Sequence, residues 1–299
     1  MQSTQRTEGH TMYVISGATG RVGSAIADRL LENGSPVRVL VRRPDSAQHW
    51  ADRGAEAVVV DLADQVGLTG ALQGAAGFFT LLPFNPMTTD FRGDMTALIS
   101  SITEAVVDAR VPHVTLLSSV GAHLPEGTGP IAPLHHLENA LRSTTATVTA
   151  VRPVHFQEKV TDVLDAAREQ GIYPVFAGSA DVPVPMVATR DVGAVLAEAL
   201  LSPPRRSETI ALTGPAYRER EIAEILARLL DRELEVMTLP RAAWKDAFLA
   251  AGVSAEAAQM LVELHEAGDT GRLVPHGDRT VHGTTGIEQT LAGLVAVPI

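Results

Sequence analysis

Three glycines at fixed spacing, Gly17-x-x-Gly20-x-x-Gly23, lie between a short apolar run, Met12-Tyr13-Val14-Ile15-Ser16, and a stretch with apolar residues at Val22, Ile26, Leu30 and Leu31. The run reads as a buried strand. The stretch reads as an amphipathic helix from Arg21 to Asn33, ended by Gly34. Strand, glycine loop and helix in that order leave few folds open. Gly17 permits the sharp turn, Gly20 lets the backbone approach a bound group, and Gly23 lets the helix lie close on the sheet. The helix start offers bare N–H groups and the positive end of its dipole, which suits a diphosphate. The expectation is a dinucleotide-binding loop formed by Gly17, Ala18, Thr19, Gly20, Arg21, Val22 and Gly23. The plain alternative is a glycine turn that binds nothing.

Beyond the loop the alternation continues. Strands are expected at 37–41, 57–60, 77–82 and 114–117, with helices at 46–53, 66–73 and 88–109 between them. Near-continuous apolar strands separated by helices predict a parallel sheet covered on both faces. The fold class is therefore α/β, a Rossmann doubly wound parallel sheet. Past residue 118 the pattern loosens. Helices are expected at 133–142, 157–169, 191–201, 219–230, 241–250 and 255–267. Strands are expected at 147–151, 184–187 and 209–212, and residues 268–299 read as mostly irregular. The predicted organisation is a loose tail at 1–11, a nucleotide-binding domain at 12–155 to which 184–212 returns, and a smaller, mostly helical substrate lobe from 156–183 and 213–299. Substrate would lie between the two, beyond the strand C-termini.

Composition narrows the partners. The formal net charge of −11 argues against nucleic acid or an anionic membrane surface, both of which reward a basic protein. No window approaches about 18 uninterrupted apolar residues, so no membrane-spanning helix is expected. There is no cysteine, hence no disulfide, thiolate metal site or cysteine nucleophile. That fits a reducing cytoplasm, the expected location. The first ten residues, MQSTQRTEGH, lack the apolar stretch of a signal peptide.

Further motifs qualify the loop. An acidic residue about 20 positions past the glycines would take the ribose hydroxyls of NAD, whereas arginine there would take the 2′-phosphate of NADP. This chain has Val41-Arg42-Arg43-Pro44, and Arg42 lies 19 residues past Gly23. NADP, as NADPH, is the preferred cofactor, and NAD remains possible without the acidic contact. Asp61-Leu62 closes the third strand where adenine would sit, and Asp61 is equally suited to cap the next helix. Dehydrogenases of the standard short-chain type use a tyrosine and a lysine four apart. Here the tyrosines are 13, 173 and 217 and the lysines 159 and 245, so that pair is absent. Ser118 and Ser119 lie in no Gly-x-Ser-x-Gly elbow, which argues against a hydrolase. His135-His136 do not share a helix face, and no metal site is expected.

Together these residues resemble the NmrA-like family of atypical short-chain dehydrogenases/reductases. The resemblance is carried by Gly17–Gly23, Val41-Arg42-Arg43-Pro44, Asp61-Leu62, Leu81-Leu82-Pro83, Leu117-Ser118-Ser119-Val120-Gly121-Ala122, Glu138-Asn139-Ala140-Leu141-Arg142, Val151-Arg152-Pro153 with His155-Phe156, and Leu212-Thr213-Gly214-Pro215. It spans roughly residues 12–265. It implies an NADP-preferring Rossmann domain with a small C-terminal substrate lobe. It also implies that Leu81, Leu82, Pro83, Ser118, Ser119 and Pro153 line the nicotinamide end. Relatives often carry a lysine three before the glutamate; His135 stands there instead.

His135 and His155 are accordingly the candidate proton donors, since imidazole titrates near neutral pH. Phe84, His123, His155 and Phe156 are the candidate substrate pocket. The expected function is an NADPH-dependent oxidoreductase passing hydride to a small carbonyl, quinone or related acceptor. The alternative is a non-catalytic NADP-binding redox sensor or regulator acting through a protein partner, which the missing tyrosine–lysine pair would suit. A monomer or homodimer is expected.

Overall fold

Strands with apolar residues on both faces have only one comfortable place, the middle of a sheet with helices above and below. The computed structural model, which describes residues 11–296, arranges them so. In chain order the first half comprises β1 (Met12–Ile15), α1 (Arg21–Glu32), β2 (Val37–Val41), α2 (Pro44–Ala51), β3 (Glu56–Val59), α3 (Gln65–Leu72), β4 (Ala75–Leu81), α4 (Phe91–Asp108) and β5 (His113–Leu117). The second half comprises α5 (Ala132–Arg142), β6 (Thr147–Pro153), β7 (His155–Phe156), β8 (Ile172–Val175), β9 (Val184–Val187), α6 (Thr189–Leu201), β10 (Glu208–Thr213), β11 (Ala216–Tyr217), α7 (Glu219–Leu230), β12 (Glu235–Thr238), α8 (Trp244–Ala250), α9 (Ala255–Asp269), β13 (Arg279–His282) and α10 (Ile287–Ala296). The expected tail lies, except for Thr11, outside the described residues.

The large sheet has eight strands in the order β13-β10-β6-β5-β4-β1-β2-β3. Every neighbouring pair in it is parallel. The chain winds one way from β1 to β3 and the other way from β4 onward. The switch point is therefore between β1 and β4, and the crevice of such a sheet opens there, beyond the strand C-termini. Alternate residues of each strand feed opposite cores. Tyr13, Ile15, Val39 and Phe79 pack with Ile26 and Leu30 of α1 and Val192 and Leu196 of α6. Val14, Leu40 and Phe78 pack with Leu68, Ile102 and Leu137 from α3, α4 and α5. Gly193 allows α1 and α6 to cross closely, because a Cβ there would stand 2.6 Å from that of Ala25.

Over the strand C-termini lies a second layer. It holds the small sheet β11-β9-β7, the pair β12-β8 and helices α7 to α10. Its own core joins Leu164, Tyr173, Val175, Met186, Ile222, Leu226, Ile287 and Leu291.

Four sequence expectations give way here. The helix expected at 157–169 is a 3-10 segment, Gln157–Asp162, and a π-helical turn, Ala166–Gln170. Side chains pulled inward explain it: Gln157 Nε2 donates to the carbonyl of Thr285 at 2.8 Å, and Glu158 accepts from Thr189. These tertiary bonds outweigh local helix preference. Residues 268–299, expected to be irregular, contain β13 and α10. Arg-Thr-Val-His gives no apolar signal because β13 is an edge strand, exposed at three of its four positions. Strands β8 and β12 are absent from the sequence expectations, since Pro174 and the exposed face of β12 hide the pattern. Finally, β9 pairs with β7 and β11 and takes no part in the large sheet.

Candidate active site

The glycine loop forms a cradle that only glycines can line. Gly17 has φ +63°, and a Cβ there would meet Leu81 Cδ2 at 2.8 Å. A Cβ on Gly23 would lie 2.2 Å from the Gly17 carbonyl oxygen. The Gly20 N–H donates to that same oxygen at 2.9 Å, closing the turn. No side chain caps the start of α1, and no acidic residue stands in its first turn. Such a helix end is an uncompensated anion site. A dinucleotide's diphosphate fits it in size, sign and access.

Two cavities flank the cradle. One, of about 400 Å³, is lined by Ala18, Thr19, Ser24, Asp45, Ser46, His49, Trp50 and Arg53. Arg53 sits 4.7 Å over the Trp50 ring and pairs with Asp28 at 2.5 Å. Arg42 and Arg43 are exposed at the end of β2, and Arg43 is the residue before α2. No Asp or Glu stands at the strand end itself, although Asp45 lines the cavity. Asp61 makes an Asx turn to the Ala63 N–H at 2.9 Å, and Asp64 rather than Asp61 caps α3 through the Gly67 N–H. Leu62 offers its carbonyl to Ser101 Oγ.

The other cavity, of about 280 Å³, lies on the opposite side of the cradle. Gly17, Gly20, Arg21, Val22 and Gly23 form one wall, and Leu81, Leu117 and Phe156 another. The 3-10 segment closes it with Glu158, Lys159, Thr161 and Asp162, and Thr189 completes it. Glu158 is held in place by the start of α6. Its two oxygens accept from the Thr189 N–H at 2.9 and 3.0 Å and from Thr189 Oγ1 at 2.7 Å. Cofactor loop and second layer thus meet in one crevice.

The sequence model of the NmrA-like family matches residues 10–292. The chain belongs to the NmrA-like family. Similar proteins include the (4-alkanoyl-5-oxo-2,5-dihydrofuran-3-yl)methyl phosphate reductase of Streptomyces griseus, 31% identical over 241 residues, 80% of this chain and 81% of that one. The NAD(P)H azoreductase of Xenophilus azovorans is 25% identical over 256 residues, 85% of this chain and 86% of that one. Among solved structures, triphenylmethane reductase of Citrobacter sp. superposes with a TM-score of 0.79 at 21% identity, covering 96% of this chain and 100% of that one. The NADPH complex of an Escherichia coli NADPH-dependent quinone oxidoreductase superposes with a TM-score of 0.78 at 20% identity, covering 95% and 99%. At these identities the superpositions establish the fold, which is the Rossmann type read from the sequence.

In this NmrA-like protein the expected nicotinamide-side residues differ in what they do. Leu81 lines the crevice, whereas Leu82 packs against the α3–α4 core and Pro83 is exposed. Ser118 is buried and donates to Glu138 Oε1 at 2.5 Å. Glu138 also grips Arg152, whose Nε and Nη2 donate at 2.8 and 2.6 Å. Arg152 reaches on to the carbonyl and Nδ1 of His276, both at 3.2 Å. Ser119 is partly exposed beside this network, and Pro153 ends β6.

The histidines separate likewise. His135 has both ring nitrogens engaged: Nδ1 lies 3.1 Å from the Ala122 carbonyl and Nε2 lies 2.9 Å from Asn139 Nδ2. It is not among the side chains lining the crevice. His123 stacks on His276 at 4.8 Å, and burial followed by the His276 and Arg152 charges lowers its pKa. His155 has an exposed side chain and is not among the residues lining the crevice. Desolvation by the protein around its ring, followed by the Lys159 and His265 charges, lowers its pKa to about 4. It is a neutral imidazole at neutral pH. Phe156 lines the crevice, whereas Phe84 is exposed and packs edge-on against Phe91.

Sequence reasoning missed an aromatic cluster in the second layer. His265 of α9 lies among Phe176, Trp244 and Phe248, with ring centroids 5.6 to 5.8 Å away. Burial lowers its pKa too. The low aromatic content gave no hint of it, because Phe176 is far in the chain from the other members. Lys159 and Asp162 were also missed as site residues. Among the described residues no three His, Asp or Glu side chains converge on a metal position.

Proposed function

We propose that this NmrA-like protein is an NADPH-dependent reductase of small carbonyl, quinone or related acceptors. The observation that carries the reading is the uncapped glycine cradle opening directly into an apolar-walled crevice at the switch point. The amides at the start of α1 would bind the diphosphate. Arg42 and Arg43, with Thr19 and Ser46 on the neighbouring cavity, would hold a 2′-phosphate; NAD, lacking that phosphate, would bind more weakly. Leu81, Leu117 and Phe156 give the nicotinamide end a dry wall that excludes water from the reacting atoms. When bound, the reduced cofactor supplies the hydride. The activities that the similar proteins' names state, reduction of a furanone phosphate, an azo compound, a quinone or a triphenylmethane dye, agree with this chemistry.

The tyrosines explain why the usual acid is not required to be one of them. Tyr13 is buried in the sheet, Tyr173 donates to Glu219 at 2.7 Å, and the Tyr217 oxygen accepts from the Ile287 N–H. The same fact favours a second reading, a non-catalytic NADP-binding regulator working through a protein partner. No helix among the described residues is long and apolar enough to cross a membrane. We place the protein in the cytoplasm, as a monomer or homodimer acting on a small molecule.

The test is to titrate the protein with NADPH and NADH, then follow loss of NADPH absorbance against a panel of quinones, enones and ketones. Turnover is expected. Tight binding without turnover, plus a co-purifying protein, would favour the regulator. No affinity for either nucleotide would overturn both readings. Arg42→Ala is expected to weaken NADPH about tenfold and NADH much less, through loss of a charge-assisted phosphate contact; equal losses would remove Arg42 from the phosphate site.

A further inference from the structure

The chain carries two lysines among 299 residues and a net charge of −11. One of them, Lys245, is bound to Gln259 on the outer helices. The other, Lys159, lines the crevice beside the glycine cradle, sharing it with Gly17, Leu81, Phe156 and Asp162. Its Nζ lies 3.0 Å from Asp162 Oδ2, and both side chains are more than half exposed, 56% and 61%. An exposed pair of this kind contributes little, so the ammonium can leave Asp162 for a bound group at small cost.

Every other candidate facing this space is committed or unsuited. Glu158 spends both oxygens on Thr189. Arg21 faces the space from the cradle, but a guanidinium does not release its proton. His155 and His265 are not among the side chains lining the crevice, whereas Lys159 is. Both imidazoles are neutral at neutral pH, leaving no proton to give as imidazolium.

We propose that Lys159 is a catalytic residue: its ammonium meets the oxygen of a planar, carbonyl-bearing acceptor stacked against Phe156. This rests on the reductase reading above. The acceptor's carbon gains a hydride, and its π pair moves onto the oxygen. Lys159 Nζ steadies that negative charge and transfers a proton to it, forming the O–H bond. The neutral amine then takes a proton from water, and Asp162 draws the restored ammonium back.

Two measurements test this on the full chain. Lys159→Met is expected to lower kcat about a hundredfold, the ordinary contribution of a positioned proton donor, while NADPH affinity stays within about twofold. Independently of turnover, 4-nitrophenol is titrated by absorbance on the protein holding oxidised NADP. Bound to the natural chain it should ionise about one pH unit lower than in the Met variant, because the ammonium favours phenolate. Lys159→Arg, which keeps the charge, should restore that shift. The proposal is overturned if Lys159→Met leaves kcat and the phenol unchanged. It is equally overturned if the variant loses about tenfold in NADPH affinity alone, which would give Lys159 to the cofactor's diphosphate. Should the natural chain reduce no acceptor, the reductase reading falls, and the phenol titration alone decides for or against Lys159.

Discussion

A single methyl group is enough to test the cradle. Gly23→Ala would put its Cβ 2.2 Å from the Gly17 carbonyl oxygen, where neither backbone can yield without opening the turn. The expected result is loss of NADPH binding together with about 1–3 kcal/mol of stability, the usual penalty of overpacking, read by nucleotide titration and denaturant unfolding. His113 offers a second test. It is the buried first residue of β5, with Nε2 3.1 Å from Thr149 Oγ1, and burial lowers its pKa from 6.5 to about 4, against a weaker pull from Glu208. Well above pH 6.5 it is neutral in both states, so its lowered pKa costs no stability there. As pH falls below that value the unfolded chain takes the proton first, so stability declines toward pH 4 by about 3 kcal/mol. His113→Gln should flatten that acid slope; an unchanged slope would mean other groups set it. The glycine loop was legible in the sequence because its meaning is local, a turn and a helix start within seven residues. Lys159, Asp162 and His265 were not, because their shared space exists only once the second layer has packed.

Elements held by propensity and those held by partners behave differently. Helices α1 and α7 match their apolar periodicity within a residue or two, and strands β1 to β6 match their apolar runs within about two residues. The 3-10 segment at 157–162 and strand β13 do not, since each owes its shape to distant hydrogen bonds. The segment leading into α10 shows this well. Asp191, in the first turn of α6, accepts from the N–H groups of Thr284 and Thr285 at 2.8 and 2.9 Å and from Thr285 Oγ1 at 2.7 Å. Gln157 holds the same segment through Thr285 and Thr290. Asp191→Ala should cost about 1–3 kcal/mol for stranded donors and speed amide exchange over residues 283–290, while the loop at 17–23 exchanges as before. Faster exchange spread evenly through the protein would instead mark a general loss of stability.

At the scale of the whole molecule, the large sheet depends on a strand that the sequence hides. β13 covers β10, pairing Ile210 to Thr213 with Arg279 to His282, and Arg279 meets the Glu208 carboxylate at 3.0 Å. α10 adds Ile287 and Leu291 to the second-layer core. Ending the chain after Asp278 would therefore bare an apolar edge and open that core at once. Size-exclusion chromatography should show aggregates in place of a discrete species, as unpaired strand edges invite. A discrete, folded truncation would show that β10 tolerates life at the border. The strand order has one more consequence. β2 is laid beside β1, then β3 beside β2; β4 takes the free flank of β1, and β5, β6, β10 and β13 each extend the border left by the strand before. A polypeptide emerging from the ribosome can thus assemble its sheet in the order of its own synthesis, never prying apart two strands already zipped together.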